Sequence, residues 1–249
     1  MVRFIVPLQS PLVSDNWRRV SELCNYTLKS ILAQTNPQFE IVLVCNDLPM
    51  DFEVHPKIKV LITDLPAPSE KGQARMVDKW KKVRIGLAHY LNSEDAFYMI
   101  VDADDRVSNR LVDFVLTTNY KPGWYFDEGL IYDWGLPWIY KKKRFDLFCG
   151  TSYIVFCPSY LLPKGPDDEE EQCYLSVHGH STIKSYFDNQ VLPLKPLPFY
   201  GSIYISNTGE NDSGLFYLGV KSWYERLKRA LSIRLISVNI KKQFSLWDI

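Results

Sequence analysis

Three carboxylates, Asp102, Asp104 and Asp105, fall within four residues, directly after the apolar run Tyr98-Met99-Ile100-Val101. Carboxylates set side by side repel one another unless a cation sits among them. Hard divalent cations prefer oxygen ligands, and Mg²⁺ or Mn²⁺ typically bridges a few carboxylates to substrate phosphates. Such a cation would act on a departing phosphate as a Lewis acid and a template. The same residues could instead cap a following helix or form a solvated turn. An EF-hand loop counted from Asp102 needs glycine where Val107 stands and usually glutamate where Asp113 stands. An aspartyl-phosphatase motif wants Thr or Val at the position of Arg106, and that chemistry is kept as the alternative. A second constellation is His178-Gly179-His180, in which His180 could supply a base or a metal ligand. The run Asp167-Asp168-Glu169-Glu170-Glu171 reads first as a solvated loop.

The elements that must position these groups alternate. The residues 4–8, 39–45, 58–62 and 97–101 read as strands, the first and last of them buried and the middle two as β-branched runs. Between them, Trp17, Val20, Cys24, Leu28 and Ile31 step at helical spacing, with Ser14 or Asp15 as N-cap and Thr35-Asn36-Pro37 as the stop. Trp80, Val83, Leu87 and Leu91 give a second helix, and Ser108 can cap a third carrying Leu111, Val112, Val115 and Leu116. Strands alternating with helices predict an α/β fold with a mainly parallel sheet and right-handed crossovers. Ligands of such sheets bind beyond the carboxyl ends of the strands, where Asn46-Asp47, Asp64 and Asp102 all lie. After residue 120 the pattern changes. Trp124-Tyr125-Phe126, Leu130 to Trp134 and Trp138-Ile139-Tyr140 predict aromatic-rich antiparallel hairpins, whose Trp134 and Trp138 either pack within the hairpins or offer flat faces to a ligand.

Composition narrows the class. With 249 residues, 46% of them hydrophobic, the chain can bury a sizeable core. Formal net charge is zero, which speaks against a general nucleic-acid binder. Five cysteines at 24, 45, 149, 157 and 173 contain no C-x-x-C pair, so neither a disulfide framework nor a zinc site is expected, and a reducing cytoplasm is the expected home. The start of the sequence is too short in apolar residues for a secretory signal, and no run reaches the length of a transmembrane helix. Residues 219–249 carry seven basic residues against two acidic ones, with Trp223, Leu227, Ala230, Leu231 and Leu235 near helical spacing. A basic amphipathic tail of this kind could lie peripherally on an anionic membrane, or dock on the domain that precedes it. The predicted division is a domain over residues 1–218, in two halves over 1–118 and 119–218, followed by the tail.

Five pieces in order give the sequence a resemblance to glycosyltransferase family two and its GT-A relatives: Phe4-Ile5-Val6-Pro7, Ser30 to Thr35, Phe39 to Asp47, Lys71-Gly72-Gln73-Ala74-Arg75 and Val101-Asp102-Ala103-Asp104-Asp105. The resemblance covers roughly the first 115 residues. It implies transfer of a sugar from a nucleotide-sugar donor to a glycan or lipid-linked acceptor, assisted by Mn²⁺ or Mg²⁺, with inversion; a catalytically silent carbohydrate-binding protein is a further alternative beside the phosphatase. Pro7 would then flank the nucleotide, Asn46 or Asp47 would touch base or ribose, and Lys71 and Arg75 would approach base or phosphates. Asp102 and Asp104 would hold metal and donor. The family usually has paired aspartates where Cys45-Asn46-Asp47 stands, and often asparagine where Met76 stands. Cys149-Gly150-Thr151-Ser152 looks like the family's segment beneath the donor sugar, where Gly150 would allow close approach. The family's catalytic carboxylate would fall in the acidic run, at Asp168 or Glu170. A late side chain such as Asn207 or Asn211 would complete the metal site.

Overall fold

The computed structural model describes residues 1–68, 72–169, 174–177, 179–210 and 233–247. Lys71, Glu170, His178, Asn211 and the part of the tail over residues 219–232 lie outside the described residues.

Four parallel strands form the heart of the molecule: β1 (Val2–Pro7), β2 (Phe39–Cys45), β3 (Ile58–Ile62) and β4 (Ala96–Ile100), in the spatial order β4-β1-β2-β3. Helix α1 (Trp17–Leu32) joins β1 to β2, and α2 (Gln73–Ala88) joins β3 to β4. Every residue of β1 is buried, as expected for a strand covered on both faces. Alternate side chains go to opposite sides. Phe4 and Val6 join Val20, Cys24 and Leu28 of α1, while Ile5 joins Val83 and Leu87 of α2. Asn16, not Ser14 or Asp15, caps α1 by accepting from the Arg19 amide at 3.1 Å.

Beyond β4 the sheet turns mixed. β9 (Tyr153–Cys157) pairs antiparallel with both β4 and β6 (Gly123–Tyr125), and β10 (Lys195–Pro196) closes the edge. The aromatic run Trp124-Tyr125 thus belongs to the central sheet and not to a hairpin, because β9 offers it a partner far along the chain. The expected hairpin does form from β7 (Glu128–Asp133) and β8 (Trp138–Lys143), turning through Gly135 at φ +85°. These two strands lie in a second sheet of order β12-β8-β7-β11-β5, with β5 (Arg106–Val107), β11 (Ser202–Ser206) and β12 (Ile233–Leu235). Among the described residues β7 pairs parallel with β11, and the other pairs of this sheet are antiparallel. A mainly parallel sheet flanked by helices, with an antiparallel second part, is the GT-A architecture that the resemblance implies.

Three further helices complete the described residues around α3 (Leu111–Thr118): α4 (Tyr174–Val177), α5 (Ile183–Asp188) and α6 (Val238–Phe244). Ser108 precedes α3 as expected, accepting from the Arg110 amide at 3.3 Å, although the capping position itself is Arg110. The described end of the tail is docked on the domain. Phe244 and Leu246 are fully buried with Leu23, Leu130 and Tyr132. Among the described residues no helix is long and apolar enough to cross a membrane.

Gly86 sets how closely α2 approaches the sheet. A Cβ there would stand 2.6 Å from Ile5 Cγ2 and 3.2 Å from Val44 Cγ2. Overpacking of this kind typically costs about 1–3 kcal/mol. Gly86→Val should therefore lower the urea midpoint at unchanged slope; an unaltered midpoint would show that α2 has slack at this point.

Candidate active site

At the carboxyl ends of β1 and β4 the chain opens into a cleft of about 290 Å³. Pro7 ends β1 on its wall, Asp102, Ala103 and Asp104 follow β4, and Gly150, His180 and Glu210 line it from the second half of the chain. From α2 come Arg75, Asp78, Lys79 and Lys82. Their spacing of three, four and seven residues places them on one helical face.

A buried hydroxyl shapes the carboxylate turn. The Asp102 amide donates to Thr151 Oγ1 at 2.9 Å, and the same oxygen donates to Asp105 Oδ2 at 2.5 Å. Cys149 Sγ also approaches Asp105 Oδ2, at 3.1 Å, and the Asp105 amide closes the turn onto the Asp102 carbonyl at 3.0 Å. Thr151 in turn receives Ser202 Oγ at its carbonyl. The three carboxylates consequently part company. Asp102 and Asp104 line the cleft, whereas Asp105 points inward and is fully buried. Burial, then the neighbouring Asp104 and Asp102 charges, push the Asp105 carboxyl well above its usual range. The expected third metal ligand is thus turned toward the core by Thr151 and Cys149 and does not reach the cleft.

Asp102 pairs with the Lys79 ammonium through Oδ1. A Cβ on residue 150 would lie 2.6 Å from Asp102 Oδ2 and 3.1 Å from Lys79 Nζ, so Gly150 leaves the room this pair needs. Burial disfavours the Lys79 charge, but the Asp102 carboxylate and, beyond it, Asp104 and Asp105 prevail and raise its pKa. Lys82 is fully buried and held by Asp78 at 2.7 Å, leaving Asp78 Oδ1 buried with no hydrogen-bond partner among the described residues. Arg75 faces Glu210 at 3.8 Å, and Glu210 accepts from the Asn16 amide at 2.5 Å, from Ser14 Oγ at 3.2 Å and from Gln9 Nε2 at 3.3 Å. Glu210 therefore ties the loop after β1 to the segment after β11. Burial lowers the His180 pKa, with the Asp102 charge opposing the shift and Lys79 adding to it, so the imidazole is uncharged at neutral pH.

Other expected residues lie elsewhere. Asn46 donates to the carbonyls of Thr63 at 3.3 Å and Leu65 at 2.8 Å, bracing the ends of β2 and β3 outside the cleft lining, and Asp47 beside it is exposed. Asp168 closes a local turn by accepting from the Lys164 amide at 2.9 Å. Its neighbours Asp167 and Glu169 pair with Lys81 and Arg84 on the flank of α2, so the described part of the acidic run does not enter the cleft. Trp134 packs on Arg19 at 4.8 Å and beside Tyr26, both of α1, and on Tyr132 of its own hairpin. Asp78, Lys79 and Lys82 were not among the residues expected from the sequence. Their signal was the charged stripe on a helix recognised there only by its apolar positions.

Oxygen donors such as Asp102 and Asp104 suit Mg²⁺ or Mn²⁺. No three His, Cys, Asp or Glu side chains gather to hold a cation by themselves among the described residues. Two carboxylates completed by substrate phosphates are nonetheless the usual complement for these ions. The cleft lining also has four carboxylates, Asp78, Asp102, Asp104 and Glu210, against the cations Arg75, Lys79 and Lys82. The one carboxylate in excess among these described residues suits a cation that binds together with an anionic substrate. On donor type and charge, the residues fit the ion.

The raised Asp105 pKa has a pH signature. The fold favours its protonated form, so its stabilising contribution is complete below the unfolded value of about 3.9 and is lost as pH rises through the folded one. Asp105→Asn should gain stability relative to the unaltered protein between about pH 4 and 7. Urea unfolding at each pH measures this, and a constant difference would contradict it.

No protein-family model and no curated protein sequence matches the chain. Solved structures similar to it include S. aureus TarS 1-349, with TM-score 0.42 and 14% identity over 82% of this chain and 60% of that one. Another is S. aureus TarS, with TM-score 0.40 and 12% identity over 82% of this chain and 36% of that one. A third is Francisella tularensis 2-C-methyl-D-erythritol 4-phosphate cytidylyltransferase (IspD), with TM-score 0.39 and 13% identity over 92% of this chain and 98% of that one. The chain thus spans less than two thirds of both TarS structures.

Proposed function

We propose that the chain is a glycosyltransferase that moves a sugar, with inversion, from a nucleoside-diphosphate sugar to a hydroxyl of a glycan or lipid-linked acceptor. The observation that carries this reading is the cleft at the carboxyl ends of β1 and β4, where Asp102 and Asp104 face Arg75, Lys79 and His180. Asp102 and Asp104 would hold Mn²⁺ or Mg²⁺, which supplies charge neutralisation for the leaving diphosphate.

The remaining chemistry falls to the chain's own side chains. Arg75 and Lys79 offer donors to phosphate oxygens from the α2 face. Pro7 lines the cleft from β1, and Gly150 makes room for the Asp102–Lys79 pair. His180, on the cleft wall and uncharged at neutral pH, takes the proton of the acceptor hydroxyl. The acceptor oxygen bonds to the anomeric carbon as the bond from that carbon to the diphosphate breaks. His180 takes the base role in preference to Asp168, because only His180 lines the cleft.

A thermal-shift panel of UDP, GDP, CDP and ADP with Mn²⁺ tests the reading. A nucleotide at a hundredfold its dissociation constant should stabilise the fold by about 2.7 kcal/mol. Asp104→Ala should remove the metal-dependent part of that shift. A panel without any shift would overturn the assignment.

His180 gives a second prediction. Because its folded pKa is lowered, turnover should hold level above about pH 6.5 and fall as the imidazole protonates below it. His180→Gln should slow turnover about 10²–10⁴-fold and flatten this limb; a rate within twofold of the unaltered enzyme would exclude His180 as the base.

A further inference from the structure

Lys79 lies between two demands on one carboxylate. Its ammonium pairs with Asp102 Oδ1 on the cleft wall, and its side chain and that of Asp102 are each about a quarter exposed, so the pair sits at the mouth of the site and not in the core. The three cationic residues on this face of α2 differ in what ties them. Lys82 is fully buried and fixed by Asp78, one turn before it on the same helix. Arg75 is bound by Glu210 and by the Val13 carbonyl. Lys79 is held to Asp102, one of the two carboxylates that face the cleft from the turn after β4. A divalent cation on Asp102 would stand beside the ammonium, and like charges at that separation repel strongly. Gly150 leaves the space that this carboxylate and ammonium occupy together.

We propose that Lys79 is a resident counter-ion that competes with the divalent cation for Asp102, so that the free protein binds the metal weakly. This inference rests on the metal-assisted reading above and adds the residue that governs when the metal enters. Once a diphosphate is present, its oxygens give the ammonium a new partner, and Asp102 is released to the metal. Lys79 is in this sense a positioning residue for the metal site.

The test is Mn²⁺ binding to the free protein, followed by electron paramagnetic resonance of unbound Mn²⁺. The unaltered protein should bind weakly, and Lys79→Gln at least tenfold more tightly. Lys79→Arg, which keeps the charge, should stay as weak as the unaltered protein. Lys79→Gln combined with Asp102→Asn should lose the gain, which locates the ion at Asp102. Lys79→Met serves as the second uncharged variant, with circular dichroism to confirm that each variant folds. Equal Mn²⁺ affinity in the unaltered protein and both uncharged variants would overturn the inference. Repeating the unaltered titration with saturating UDP, GDP, CDP or ADP separates the two levels. If none of these tightens Mn²⁺ binding, the nucleotide-sugar reading fails, whatever the variants show; if one does while the variants bind as the unaltered protein, only the role of Lys79 fails.

Discussion

The Thr151 hydroxyl is the point on which the cleft turns. It accepts from the Asp102 amide and donates to the Asp105 carboxyl, so one side chain fixes where β4 ends and which of three neighbouring carboxylates faces inward. A carboxyl in the protein interior is costly unless it is hydrogen-bonded or protonated. Thr151 and Cys149 meet part of that cost, and the raised pKa of Asp105 meets more of it. The result is a turn that cannot rotate freely, with Asp102 and Asp104 directed into the cleft. The carbonyl of Thr151 is bound by Ser202 of β11, so the second sheet holds the turn in place as well.

Helix α2 supplies the opposite wall. Its apolar side packs through Val83 and Leu87 on β1 and β2, and the close approach at Gly86 fixes its distance from the sheet. The adjoining face then brings Arg75, Asp78, Lys79 and Lys82 to the cleft as a row. Ion pairing within this row and across to Asp102 and Glu210 keeps several charges together in a partly desolvated space. Buried or half-buried charges persist only where each finds an opposite partner. Such a site is held ready for an anionic ligand together with its cation, in place of one held open by empty space.

Glu210 performs a second joining. By binding the Asn16 amide, Ser14, Gln9 and Arg75, it links the loop after β1, the start of α1, the basic face of α2 and the segment that follows β11. Elements more than a hundred residues apart in sequence thereby share one carboxylate. The aromatic hairpin takes a different part. Trp134 is occupied by Arg19 and Tyr26, and it stiffens the flank of the second sheet.

Much of this was legible in the residues alone. The strand at 39–45 stands where its β-branched run places it, because local pattern and burial agree when a strand is covered on both faces, and the run at 58–62 forms the half-exposed edge strand beside it. The position of the Asp102 turn followed from the rule that ligands sit beyond the carboxyl ends of parallel strands. What the sequence left open depended on partners distant along the chain. Trp124-Tyr125 joined the central sheet because β9 lay beside it, and Asp105 turned inward because Thr151 lay beneath it. Asp167 and Glu169 left the cleft for Lys81 and Arg84, and Lys79 entered it through Asp102. Periodicity and motif spacing determine which residues share an element and an end. Which of several like charges faces the ligand is decided only in the tertiary structure, because a charge's partner is set by proximity in space and not by order in the chain.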